Sequence, residues 1–220
     1  MQENRDPSGA PADRPVRRRP VLRGCFLLVA ATLVIGVTGV VAYAARLHLT
    51  GNFHTVVDEQ AYRSGQPSAS ELEQYVQRVG VRTVINLRGE NRGSPWYDEE
   101  VAAARRLGIA HVDFRMSSRR ELSQAEAARL ITLMRDAEKP VLIHCNGGAD
   151  RSGLASALYV AAIAGGNDDA SEAQLSLAYG HISLSRNPAY AMDRTFEALE
   201  GWLGIDDDDD ADDDEDGAWA

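Results

Sequence analysis

The sequence predicts an α/β fold, a central and mostly parallel sheet flanked by helices, preceded by one membrane-spanning helix. Three observations predict it. Short apolar runs rich in Val and Ile alternate with longer stretches that carry helix-start signals. The most apolar of these runs, Pro140–His144, leads through a Gly-containing loop into a long helical pattern at 151–164. A 21-residue uncharged run, Cys25–Ala45, stands ahead of all of them.

The pieces follow in chain order. Residues 1–24 hold six Arg among Pro, Ser, Asp and Gly and nothing that builds a core. They are expected to be a disordered, cytoplasmic basic arm. Residues 25–45 read as a transmembrane signal anchor, since a helix of that length spans roughly 30 Å, the thickness of a bilayer core. The Arg residues before it outnumber those just after, which keeps the N-terminus in the cytoplasm and exports the rest. The alternative is a secreted domain released by cleavage near Ala44, where Ala42-Tyr43-Ala44 fits an A-x-A site. Either way residue 46 onward leaves the cytoplasm. Gly36 and Gly39 are three apart, so no GxxxG pairing signal is present and no oligomer is predicted.

Residues 46–204 form the expected folded domain. Thr83–Leu87, Ala110–Met116 and Pro140–His144 read as strands. Ser68 with Glu71 and Ser123 with Glu126 fit capping boxes, and Ser94-Pro95 fits an N-cap followed by an N1 proline before Trp96–Leu107. Beyond residue 150 the pattern is helical at 151–164, about 170–179 and about 189–203. Residues 205–220 are an acidic tail, expected to stay disordered by self-repulsion.

That tail carries the charge balance. The chain has 23 Lys+Arg against 33 Asp+Glu, a net −10. Ten of the acids lie in residues 206–216, and without them the balance is neutral. A uniformly acidic protein and a basic nucleic-acid binder are both excluded. Two cysteines, Cys25 and Cys145, exclude a disulfide-stapled mini-fold.

The chemistry concentrates at 144–153. Cys145 stands at the C-terminal end of a strand, and Arg151 follows six positions later at the start of a helix. The five residues between them, Asn146-Gly147-Gly148-Ala149-Asp150, include two glycines. Such a loop can wrap its N–H groups around a tetrahedral oxyanion, with the helix N-terminus adding unpaired donors. Arg151 can grip two oxygens with its fork. The same field stabilises a thiolate at Cys145, and Ser152 can hydrogen-bond that sulfur and help it leave.

His-Cys-x5-Arg-Ser after a Val-Leu-Ile strand resembles the signature of cysteine-dependent protein tyrosine and dual-specificity phosphatases. Ala61–Pro67 (AYRSGQP) and Thr83–Arg88 (TVINLR) are similar to early segments of bacterial dual-specificity-like enzymes and of their plant and fungal atypical relatives. The resemblance covers roughly residues 52–200. It implies a two-step phosphomonoester hydrolysis. Cys145 becomes a phosphocysteine, an acid protonates the leaving oxygen, and water then releases phosphate. Arg151 and the loop from Asn146 to Ala149, with Ser152, would bind phosphate. His144 would support the loop. No cofactor or metal is implied, and a zinc set of His144, Cys145 and His181 has poor ligand spacing.

The general acid has three candidates. Asp150 lies inside the loop, and it also fits a simple helix cap. Asp113 lies 32 residues before Cys145 but within the strand pattern. Glu121 lies in the segment after that strand. Arg88, Arg92, Arg115, Arg119 and Arg120 form a possible basic rim for polyanions, or ordinary surface charge. The expected partners are a phosphorylated protein or an inositol or lipid phosphate, and the membrane through residues 25–45. The alternative function is a weak or silent phospho-ligand binder on the membrane.

Overall fold

The computed structural model describes residues 19–205, with side chains from residue 28. Most of the basic arm and the acidic run lie outside the described residues. The chain divides into two compact units, Met1–Tyr43 and Ala44–Ala220. The first is occupied by most of helix α1 (Arg19–Leu49). Within α1 the stretch Leu28–Leu49 is long and apolar enough to cross a membrane, and large side chains such as Leu33, Ile35 and Val40 are exposed. The helix runs four residues past the uncharged segment and stops before Gly51 and Asn52, both at positive φ.

The second unit is built on five strands: β1 (His54–Val57), β2 (Ala61–Ser64), β3 (Thr83–Asn86), β4 (Ala110–Asp113) and β5 (Val141–His144). Their order in the sheet is β1-β2-β5-β3-β4. Only β1 pairs antiparallel, with β2; the other neighbours are parallel. The sheet is thus mostly parallel, as the alternation predicts. β5 occupies the middle, with His144 in register with Ser64 on one side and Asn86 on the other. Cys145 therefore leaves the sheet at the carboxyl end of its central strand, where ligands bind in open α/β sheets.

Alternation along β5 assigns its two faces. Val141, Ile143 and Cys145 join one buried cluster with Leu130, Leu154, Leu158 and Phe196. These come from α4 (Gln124–Asp136), α5 (Asp150–Tyr159) and α7 (Ala191–Glu197). Leu142 joins the other cluster with Val84, Leu72, Tyr75 and Ala104, against α2 (Ala69–Val79) and α3 (Pro95–Leu107). Each fully buried Leu or Ile contributes about 1.5–3 kcal/mol relative to exposure. His144, two residues on from Leu142, thereby faces α3.

Both predicted capping boxes are formed, at Ser68/Glu71 and Ser123/Glu126. Ser94 does precede an N1 proline, but its side chain makes no cap. The Asp98 carboxylate instead takes the Gly93 N–H. β4 stops at Asp113 rather than Met116 because its partner β3 ends at Asn86 and turns through Gly89 at positive φ. The predicted helix 151–164 is α5 followed by a π-helical turn, Val160–Ala164. The stretch near 170–179 holds only α6 (Asp168–Glu172) and a 3₁₀ turn at Leu177–Tyr179. The last stretch, near 189–203, is a 3₁₀ turn, α7 and the short α8 (Glu200–Leu203).

Candidate active site

The loop Asn146–Ala149 owes its shape to donors outside it. The Asn146 carbonyl accepts from the Gln66 N–H at 3.1 Å. The Gly147 carbonyl accepts from the Asn52 amide at 2.9 Å. The carbonyls of Gly148 and Ala149 both accept from Arg63 Nη2 at 2.9 Å. A trans peptide holds C=O and N–H on opposite sides. Pinning four carbonyls outward therefore turns the next four N–H groups inward. The Gly148 N–H follows this rule and reaches Cys145 Sγ at 3.3 Å. One backbone donor of the loop thus already points at the sulfur.

Gly148 is required by two features. It has φ of +74°, and a Cβ there would stand 2.6 Å from Gly65 N and 2.7 Å from the Ser64 carbonyl carbon. Gly147 has open space around it.

Arg63 is fully buried beneath the loop. Its other nitrogen, Nη1, reaches the Gln174 carbonyl at 2.7 Å, and the guanidinium lies over the Tyr179 ring. Burial lowers its pKa to about 10, a loss limited by Tyr179, Cys145 and Asp150. It stays charged at neutral pH and places a cation near enough to Cys145 to interact with it electrostatically.

His144 is buried on the other face. Its Nε2 lies 3.2 Å from Glu100 Oε1, which also meets His111 Nε2 at 2.7 Å. Burial alone would raise the Glu100 carboxyl, but the hydrogen bonds and charges of His111 and His144 hold it down at about 2. The second Glu100 oxygen accepts from Gln66 Nε2, and Gln66 Oε1 accepts from Arg88 at 2.7 Å. Arg88 stacks on Trp96. A continuous polar chain thus joins the strand before Cys145 to the arginines at the surface.

Arg151 stands in the first turn of α5. Its Nη1 lies 3.4 Å from the Leu87 carbonyl and 3.5 Å from that of Met116, which braces it across the ends of β3 and β4. It lines a cleft of about 520 Å³ together with Arg88, Arg115, Arg119 and Arg120. Four of the five predicted rim arginines therefore gather there. The fifth, Arg92, is highly exposed and pairs with Glu90. Arg120 is partly neutralised by Glu126 at 2.8 Å.

The three acid candidates have different surroundings. Asp113 is occupied, with one oxygen 2.8 Å from Asn86 Nδ2 and the other 2.6 Å from the Tyr97 hydroxyl. Glu121 pairs with Arg194 at 2.5 Å. Asp150 is about a third exposed and has one oxygen 2.8 Å from His181 Nδ1. It begins α5 without making a side-chain cap. The Ser152 hydroxyl donates to the Ser64 carbonyl at 3.4 Å rather than to Sγ, because the first turn of α5 aims it at β2. Among the described residues no cluster of three metal-ligating side chains occurs.

Sequence reasoning assigned no role to Asn52, Gln66, Arg63 or Glu100, and weighed His181 only as a zinc ligand with poor spacing. Gln66 and Arg63 belong to the Ala61–Pro67 segment singled out above. Asn52, Glu100 and His181 have no local signal at all.

A central strand ending in His-Cys-x5-Arg, with the loop carbonyls tied outward, defines a cysteine-dependent phosphatase. The comparisons agree. Residues 46–190 match the family described as DSP-PTPase phosphatase fused to NAD+ kinase. The chain belongs to this dual-specificity-like phosphatase family. It is 35% identical over 94 residues to a beta-lactamase hydrolase-like protein of Xylella fastidiosa, a match over 42% of this chain and 21% of that one. It thus spans about a fifth of that relative's length. Among solved structures it is similar to P. aeruginosa TpbA, at 23% identity and TM-score 0.51 over 70% of this chain and 91% of TpbA. It is also similar to the core catalytic domain of the S. cerevisiae PP-IP phosphatase SIW14, at 18% identity and TM-score 0.52 over 70% and 93% of the two chains. These two likenesses concern the fold.

Proposed function

We propose that the chain hydrolyses phosphomonoesters through a phosphocysteine on Cys145. Arg151 and the inward N–H groups of the loop hold the phosphoryl oxygens, and Asp150 serves as general acid and then as base. The observation that carries this reading is the set of four outward-tied carbonyls around Sγ. Such a ring binds the equatorial oxygens of a transferring phosphoryl group, where charge must be stabilised without reorganisation. His144 is assigned the support of the loop through Glu100. Asp113 is assigned a structural part, because both of its oxygens already have donors.

The substrate is a phosphate ester with further anionic groups, of the inositol or lipid phosphate kind, for which the arginine cleft beside Arg151 supplies the complementary field. A phosphorylated protein fits the same loop but leaves this cleft unexplained. Residues 25–45 are taken as the membrane anchor and 46–204 as the exported catalytic part. Support comes from the exposed apolar length of α1 and from the charge bias around it.

The test uses the full chain in detergent with p-nitrophenyl phosphate and a polyphosphorylated inositol, and Cys145→Ser as the blank. Both substrates are expected to be hydrolysed by the wild type and by neither blank reaction. Arg119→Ala is expected to raise KM for the polyphosphate about tenfold, the loss of one charge-assisted contact, and to leave the aryl phosphate unchanged. Activity that survives Cys145→Ser would defeat the enzyme reading. Equal KM effects on both substrates would defeat the polyanion reading.

A further inference from the structure

Asp150 does not stand alone. Its carboxylate meets His181 Nδ1 at 2.8 Å, and the opposite ring nitrogen of His181 meets Asp193 Oδ2 at 2.9 Å. His181 is fully buried in the segment after the 3₁₀ turn, and Asp193, on α7, is nearly so. Each ring nitrogen therefore faces a carboxylate oxygen. A neutral imidazole can donate from only one nitrogen, so its other lone pair would confront a carboxylate with no hydrogen between them. The arrangement is satisfied when the ring carries both protons and donates to both acids.

We propose that His181 stores, between Asp193 and Asp150, the proton that Asp150 delivers to the leaving group. The inference rests on the assignment of Asp150 as the acid and adds His181 and Asp193 as positioning residues behind it. In the first step the bond from Cys145 Sγ to phosphorus forms and the ester P–O bond breaks, its electron pair going to the leaving oxygen. That oxygen takes a proton from Asp150, which draws it from His181 Nδ1. His181 is left neutral, its remaining N–H on Asp193. In the second step a water oxygen bonds to phosphorus, the S–P bond breaks, and its electron pair returns to Sγ. The proton released by water passes to Asp150 and back to His181. The cycle closes with no other reactant than water.

The surrounding charges are consistent with a buried cation here. Asp150 and Asp193 touch the ring. Arg63 lies near enough to Asp150 to feel its charge, and Glu172 and Tyr190 near enough to feel Asp193. Burial opposes the imidazolium, but the hydrogen bonds and charges of the two carboxylates outweigh it and raise the His181 pKa above the usual value.

The experiment compares leaving groups. p-Nitrophenolate departs without a proton, whereas phenolate needs one. In the full chain, Asp193→Asn and His181→Asn are each expected to lower kcat on phenyl phosphate at least about tenfold more than on p-nitrophenyl phosphate. Asparagine at 181 keeps a donor toward Asp150 but cannot hold the extra proton. Asp193→Asn is also expected to move the basic limb of the kcat profile to lower pH, since the carboxylate that holds the ring charged is gone. Equal losses on both substrates, or an unmoved basic limb, would overturn the proposal. Asp150→Asn separates the two readings. If it spares phenyl phosphate, the acid lies elsewhere and both readings fall. If it alone shows the selective loss, only the role of His181 falls. Should the His181 variant not fold, ¹⁵N resonances of the wild-type imidazole decide. Both ring nitrogens are expected to be protonated at neutral pH, and a single-proton tautomer would overturn the proposal.

Discussion

Gly148 and Arg63 shape the nucleophile's loop from opposite sides. Gly148 lets the chain turn through a left-handed conformation while passing against the backbone of Ser64 and Gly65. Arg63 collects the carbonyls that this turn pushes outward. Alanine at 148 costs about 1–2 kcal/mol for the left-handed backbone alone. The contact with Ser64 and Gly65 adds to this, because both neighbours are backbone and cannot swing away. Alanine at 147 meets neither obstacle. Gly148→Ala is expected to lower the unfolding free energy from urea titration by more than about 1–2 kcal/mol, with a lower midpoint, and to abolish activity, and Gly147→Ala to change that free energy by less than about 0.5 kcal/mol. Equal midpoints for the two variants would show that the loop is not shaped this way. The glycines were legible in the sequence because they lie within seven residues of Cys145. Arg63 and Asn52 were not, because the bonds that give them meaning span 85 and 95 residues.

Elements were legible where their signals are local. The two capping boxes, the N1 proline of α3 and the apolar run of β5 each declare themselves within a few residues, and each stands where it was read. The C-terminal third was harder. Between α6 and α7 the chain is held by long-range bonds instead of a helical ladder, from Arg63 to Gln174, from Asn52 to Tyr179 and from His181 to two helices. Composition alone reads that stretch as helix. His181 joins the N-terminus of α5 to α7, so their packing is linked to its proton. A histidine whose pKa is raised on folding contributes stability that is full below its unfolded value, near 6.5, and is lost as pH rises through the raised folded value. Thermal midpoints are therefore expected to fall as pH rises from about 6.5 through the raised folded value and to level off above it, and Asp193→Asn is expected to flatten the dependence. A midpoint that is flat in the wild type, or equally steep in the variant, would contradict the linkage.

At the scale of the whole molecule the charges are sorted by place. The net −10 belongs to residues 206–216, the rest is balanced, and Arg88, Arg115, Arg119 and Arg120 gather beside Arg151. The proposed phosphate site thus sits in a domain with a slight acidic excess, which the overall charge conceals. The fold brings the pieces together by strand order. Placing β5 between β2 and β3 lets Ser64, Asn86 and His144 end side by side, so one sheet edge gathers the loop, its buried arginine and the braced Arg151. The strand order could not be read from the alternation of elements, although the parallel sheet could. In the proposed mechanism the sulfur of Cys145 carries the phosphoryl group between two steps. The most direct test is to quench the full chain in acid during turnover of p-nitrophenyl phosphate and locate the bound phosphate by mass spectrometry of its peptides. A phosphoryl group on the Cys145 peptide, absent in Cys145→Ser, is the expected result. Turnover with the phosphate on another residue, or undiminished in the serine variant, would exclude Cys145 as the phosphoryl carrier.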